Sequence, residues 1–129
     1  MIRVITCILL SLFSACALAC TVPMMGADFD ELITVEEIGN NGFKATISKE
    51  AKGLSYGAEA TVQYYPASSE HRIGEYSKRV QLIEQGSNYV SSFELEKIEG
   101  HIPFLQVFWY PEQCCLCGAF GKSDDLSLD

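Results

Sequence analysis

Positive charge is scarce in this chain: nine lysines and arginines stand against seventeen acidic residues in 129, a formal charge of −8. Phosphate contact needs a basic patch, and the only adjacent basic pair is Lys78-Arg79. Nucleic acid is therefore excluded as an expected partner, and an anionic membrane surface would repel the body of the protein. Histidine is scarcer still, with His71 and His101 alone. Neither has the neighbours of a catalytic triad: in "SSEHR" the adjacent Ser69, Glu70 and His71 side chains point apart, so no active site is expected. No apolar period of 3.6 persists beyond two turns, which excludes a helical fold, and no internal repeat is visible. The one nucleotide-like string, "GAFGKS", fails as a phosphate loop because Leu116 stands where the pattern needs its first glycine. No cofactor is expected.

What is present begins with the leader, "MIRVITCILLSLFSACALAC". One cation, an apolar run over 4–13 and then small residues give the three-part layout of a secretory signal. Its end resembles a bacterial lipoprotein signal, in which small residues precede a cysteine that receives the lipid. Ser14 and Ala15 before Cys16 match that pattern, with Phe13 where leucine is usual. Cys20 after "ALA" is the alternative, and the same "ALA" suits ordinary cleavage. The resemblance covers the first twenty residues and implies export to the bacterial cell envelope, with the membrane reached through a lipidated cysteine, or a free periplasmic protein.

Cysteine parity bears on the choice. The chain has six cysteines, three of them in "CCLC". Lipidation at Cys16 leaves Cys20, Cys114, Cys115 and Cys117, an even set suited to an oxidising compartment, where disulfides are the expected fate. Lipidation at Cys20 leaves three. Motif and parity together favour Cys16. On a strand, Cys115 and Cys117 would share one face and Cys114 the other, so the three thiols do not converge on one ion; a copper or zinc site using Cys114, Cys115, Cys117 and His101 is the alternative.

The remainder divides into a tether over 20–31 and a domain over 32–129. There, short alternating runs are separated by turn signals. Phe43, Ala45 and Ile47 share a face after "GNNG", whose asparagines and glycines tolerate positive φ; Ala58, Ala60, Val62 and Tyr64 share another, as do Tyr89, Ser91, Phe93 and Leu95. "KRVQLIE", "QGSN" and "YVSSFELE" read as a second hairpin. "FLQVFWY", 104–110, is apolar on both faces and suits a central strand covered from two sides, with the segment after the cysteines returning beside it. Six or seven such strands predict an all-β fold, a single antiparallel β-sandwich of immunoglobulin-like or fibronectin-like shape. The expected function is a non-enzymatic interaction or structural module at the envelope, with an envelope protein or glycan as partner. The candidate contact residues are Tyr65, Tyr110 and the loop around His71.

Overall fold

The computed structural model describes residues 24–51, 54–111 and 118–129. Cys16, Cys20, Cys114, Cys115 and Cys117 lie outside the described residues, as do the cleavage sites of the leader.

The domain is all-β, with two antiparallel sheets facing each other across one core. The first sheet runs β1-β2-β7-β6, from β1 (Ile33–Gly39), β2 (Gly42–Ser48), β6 (Ile83–Gln85) and β7 (Asn88–Glu94). The second runs β3-β4-β8-β9, from β3 (Glu50–Ala51), β4 (Leu54–Pro66), β8 (His101–Pro111) and β9 (Ala119–Asp125); β5 (Tyr76–Val80) also pairs with β4. The one described helix is the single turn α1 (Ala27–Asp30).

Local chemistry sets the turns. Gly39 pairs with Gly42, leaving Asn40 and Asn41 as a two-residue loop at φ 50° and 58°. Positive φ at both central positions gives the type I′ twist that matches antiparallel strands, and asparagine tolerates it better than most residues. In the β6–β7 hairpin, Gln85 pairs with Asn88 and Gly86 takes φ 61°.

The alternating runs bury the faces they predict. Phe43, Ala45 and Ile47 are buried from the first sheet, and Ala60, Val62, Tyr64, Leu105, Val107 and Trp109 from the second. Trp109, fully buried, packs against Phe29 at 6.0 Å between ring centroids, and its indole N–H donates to the Ser48 carbonyl at 2.9 Å. One side chain thus fills the interior and ties the second sheet to the end of β2. The β8–β9 pairing slips between Phe104 and Gln106, and the Ser123 hydroxyl accepts the Leu105 N–H at 2.8 Å, replacing a ladder partner at the bulge.

Two features differ from the sequence expectation. The run "KRVQLIE" is not one strand: β5 pairs with β4 and β6 pairs with β7, so the chain changes sheets at 81–82. Nine strands are described, of which β3 and β6 span two and three residues. The described part of the 20–31 segment also packs onto the domain. Met24 forms a parallel bridge to Ala119, with Met24 N–H donating to Gly118 O and Phe120 N–H to Met24 O, both at 2.8 Å, while Phe29 enters the core. Asp30 Oδ1 accepts the Lys122 N–H at 2.8 Å, so this segment covers the outer edge of β9.

Candidate functional site

The register of the second sheet defines a set of rungs on the face turned away from the core. Val80, Ala60, Val107 and Gly121 align across β5, β4, β8 and β9, and all four are buried, so that rung faces inward. The next rung must face outward, since successive side chains alternate. It consists of Arg79, Thr61, Gln106 and Lys122. Beside it lies Glu59, Phe108 and Phe120, and beyond that Gly57 and Tyr110.

This outer face carries an aromatic row. The Phe108 and Phe120 rings lie 4.8 Å apart and the Phe108 and Tyr110 rings 6.3 Å apart, measured between centroids. Phe108 and Phe120 are half-buried, and Tyr110 is 41% exposed. Two glycines let the rings lie down on the sheet. A Cβ at Gly57 would fall 2.2 Å from Tyr110 Cε2, and one at Gly118 would fall 2.7 Å from Phe108 Cε2. Each ring therefore occupies the space a neighbouring side chain would otherwise fill. The row ends in a strip of hydrogen-bonding groups: Arg79 Nη2 meets Glu59 Oε1 at 3.0 Å, and Thr61, Gln106 and Lys122 continue across the sheet. The sequence expected "FLQVFWY" to be covered on both faces. Phe104 is covered, but no third layer of described residues closes over Phe108 and Tyr110.

Tyr65 lies on the same outer face but is 7% exposed, and it belongs to a different cluster. Its hydroxyl donates to Asp125 Oδ2 at 2.7 Å, which raises its pKa, with burial adding to the effect. Arg72 covers the cluster: Nη2 lies 3.0 Å from Asp125 Oδ1 and donates to Ser123 O at 2.8 Å, while the guanidinium sits 4.3 Å from the Phe104 ring centroid. The Arg72 Nε is buried without a partner among the described residues. Tyr65 pairs with Ile102 whereas Tyr110 pairs with Gly57, so eight positions of β8 separate them, about 26 Å along the strand. The structure does not bring Tyr65 and Tyr110 into one site.

His71 is exposed in the 67–75 loop, where its backbone N–H and carbonyl both meet the Ser69 hydroxyl, at 3.1 and 2.9 Å. The Arg72 next to it, which the sequence gave no reason to single out, makes the tertiary contacts. His101 sits at the start of β8 with its side chain 16% exposed. Nε2 is 2.9 Å from Glu75 Oε2 and Nδ1 is 3.0 Å from Glu99 O. Two oxygen acceptors around one imidazole favour the doubly protonated ring. The Glu75 contact, then the Glu99 carbonyl, accordingly raise the His101 pKa against a smaller opposing effect of burial. Both ring nitrogens are thus engaged by oxygens. Among the described residues, no three His, Cys, Asp or Glu side chains are grouped to hold a metal ion. No described helix is long and apolar enough to cross a membrane.

No protein-family model matches the chain, no curated protein matches it, and no solved structure matches it.

Proposed function

We propose that the chain is an exported, lipid-anchored domain that acts as a non-enzymatic interaction module at the bacterial cell envelope, binding through the outer face of its second sheet. The observation that carries this reading is the aromatic cluster Tyr110, Phe108 and Phe120, with Tyr110 lying over Gly57 and Phe108 over Gly118, on a sheet face that no third layer of described residues covers. A partly exposed aromatic surface with a polar border has the make-up of an interface core and rim. The fold is read as immunoglobulin-like because the order β1-β2-β7-β6 over β5-β4-β8-β9 corresponds to strands A-B-E-D over C′-C-F-G. The usual cystine between strands B and F has no counterpart, since β2 and β8 contain no cysteine, and Trp109 occupies the interior from β8 instead.

Anchoring is assigned to Cys16, leaving Cys20, Cys114, Cys115 and Cys117 to pair as disulfides. The Met24 bridge supports this pairing, because it holds the chain four residues after Cys20 beside Gly118, the residue that follows Cys117. Four residues can span about 14 Å, so Cys20 has the reach.

Two measurements test the reading. Intact mass of the protein from its native envelope, with and without reduction, should show an acylated chain beginning at Cys16 and no alkylatable thiol before reduction; a chain starting elsewhere, or four free thiols, overturns that part. For the face, a photo-crosslinking amino acid at Tyr110 should give adducts in the envelope that the same group at Thr34, exposed on the first sheet, does not. Equal labelling from both positions, or none from Tyr110, overturns the assignment of the face.

A further inference from the structure

Independently of the Tyr110 face, we infer that the free edge of β5 is a docking site for an extended, acidic segment of a partner protein, which joins the second sheet as an added strand. The second sheet ends differently on its two sides. At β9 the chain covers its own edge, through the Met24 bridge and the Asp30 bond to the Lys122 N–H. At β5 only the β4 side is paired among the described residues, so alternate N–H and C=O groups on the other side have no strand partner. The chain passes from β5 to β6 through 81–82 alone, too short a connection to lay a strand of its own there. In the proposed immunoglobulin-like correspondence β5 stands as C′, on whose far side domains of the variable type carry a further strand, C″.

A groove of about 640 Å³ runs between that edge and the first sheet, lined by Val80, Phe93 and the exposed Ile38 among others. Its other wall is a second open edge, because β6 pairs only with 88–90 of β7 and leaves 91–94 uncovered on that side among the described residues. A strand laid beside β5 turns every second side chain toward this apolar lining. Strand addition draws its affinity from main-chain hydrogen bonds and its selectivity from such alternate side chains. Lys78 sets the charge of the occupant. It aligns with the fully buried Val62, so it leaves β5 on the core side, and its ammonium donates to Glu94 O of the first sheet at 3.0 Å. That bond uses one of its three N–H donors, and no carboxylate pairs with Lys78 among the described residues, whereas the neighbouring Arg79 is paired with Glu59. A wholly apolar strand would bury the Lys78 charge without a counter-charge. A second copy pairing antiparallel about Lys78 would set one lysine against the other. A segment with Asp or Glu opposite Lys78 meets neither penalty, so the inward lysine rejects indiscriminate pairing and admits an acidic strand.

Selection of random nonapeptides displayed on phage, against the folded, exported protein, tests this. Enriched sequences should place apolar residues at alternate positions and carry Asp or Glu, and a synthetic peptide of that consensus should slow hydrogen exchange at alternate β5 amides. N-methylation of one alternate set of the peptide's amides should abolish binding while the other set tolerates it, a signature that side-chain contacts alone would not give. Lys78→Glu should weaken the peptide about tenfold, and Ile38→Asp should weaken it as well. Circular dichroism checks that both variants are folded. No enriched sequence, enrichment without alternation or without an acidic residue, N-methylation tolerated in both sets, or equal binding by folded Lys78→Glu overturns the inference. Protection of the outward β5 amides before any peptide is added, at all concentrations or only at high ones, would place a segment of this chain or a second copy there and overturns it too.

Discussion

Replacing Gly121 by alanine is the sharpest probe of the core. In an ordinary strand this exchange helps, since glycine loses more backbone freedom on folding, worth about 0.5–1 kcal/mol. Gly121 does not occupy positive φ, so the backbone itself gives no objection. The objection is steric. The new Cβ would lie 2.8 Å from Trp109 Cζ3, 2.9 Å from Cη2 and 3.0 Å from the Phe29 carbonyl oxygen. Trp109 is fully buried, with its indole fixed by the bond to Ser48 O, and Phe29 O is backbone, so neither yields easily. Overpacking of this kind costs about 1–3 kcal/mol, which outweighs the entropic gain and leaves a destabilised protein. The atoms in the way belong to the six-membered ring of the indole, so Trp109→Phe should remove much of the clash while losing the N–H bond and opening a cavity. The double variant should accordingly lose less than the sum of the two single losses, by roughly 1 kcal/mol. Urea midpoints followed by far-UV circular dichroism measure all four proteins without relying on the single tryptophan. A neutral or stabilised Gly121→Ala, or additive losses, would refute this account of the interior.

Other perturbations test the remaining contacts. Ser123→Ala should cost about 1–3 kcal/mol, because it leaves the Leu105 N–H unpaired inside the β8–β9 bulge. Tyr65→Phe removes a hydrogen bond to a half-exposed carboxylate and should cost about 1 kcal/mol, whereas Tyr65→Ala should cost more by also uncovering Phe104. Because the folded pKa of His101 is raised, its pairing stabilises fully below about pH 6.5, the ordinary value, and is lost as pH climbs through the raised value. Wild-type melting temperature should fall across that window relative to lower pH, and His101→Gln should flatten the step.

Most of the interior was legible because alternation is local. Phe43, Ala45 and Ile47, or Ala60, Val62 and Tyr64, announce a buried face whatever their partners are. The change of sheet at 81–82 was not legible, since Val80 and Leu82 have the parity of one continuous strand; pairing with β4, remote in sequence, decides where the run divides. The same limit hid the candidate site. A run apolar on both faces looks the same whether or not another layer covers it, so Phe108 read as core. Nothing local marks Gly57 and Gly118 as seats for rings; the register and the placement of Tyr110 and Phe108 show it. Tyr110 is exposed on the sheet, whereas Tyr65 is not; the sequence could not separate the two, because the cover of Tyr65 comes from Arg72 and Asp125 in distant segments.

The placement of the cysteines follows a physical logic if Cys20 pairs within the 114–117 cluster. An immunoglobulin-like sandwich with its cystine between strands B and F staples the two sheets through the core, but here that space is filled by Trp109 and Phe29. A bridge from Cys20 would act at the rim, beside the parallel contact of Met24 with Ala119. It would close a loop of about 95 residues, for which the chain-entropy account gives about 4.7 kcal/mol, near the top of the usual range for one disulfide. That is comparable to the whole stability of a marginal domain. Reduction should therefore lower the urea midpoint sharply, and peptide mapping without reduction should find Cys20 joined to Cys114, Cys115 or Cys117. If reduction leaves the midpoint unmoved, the closed loop contributes nothing and the edge is held by contacts such as the Met24 and Asp30 hydrogen bonds and the buried Phe29.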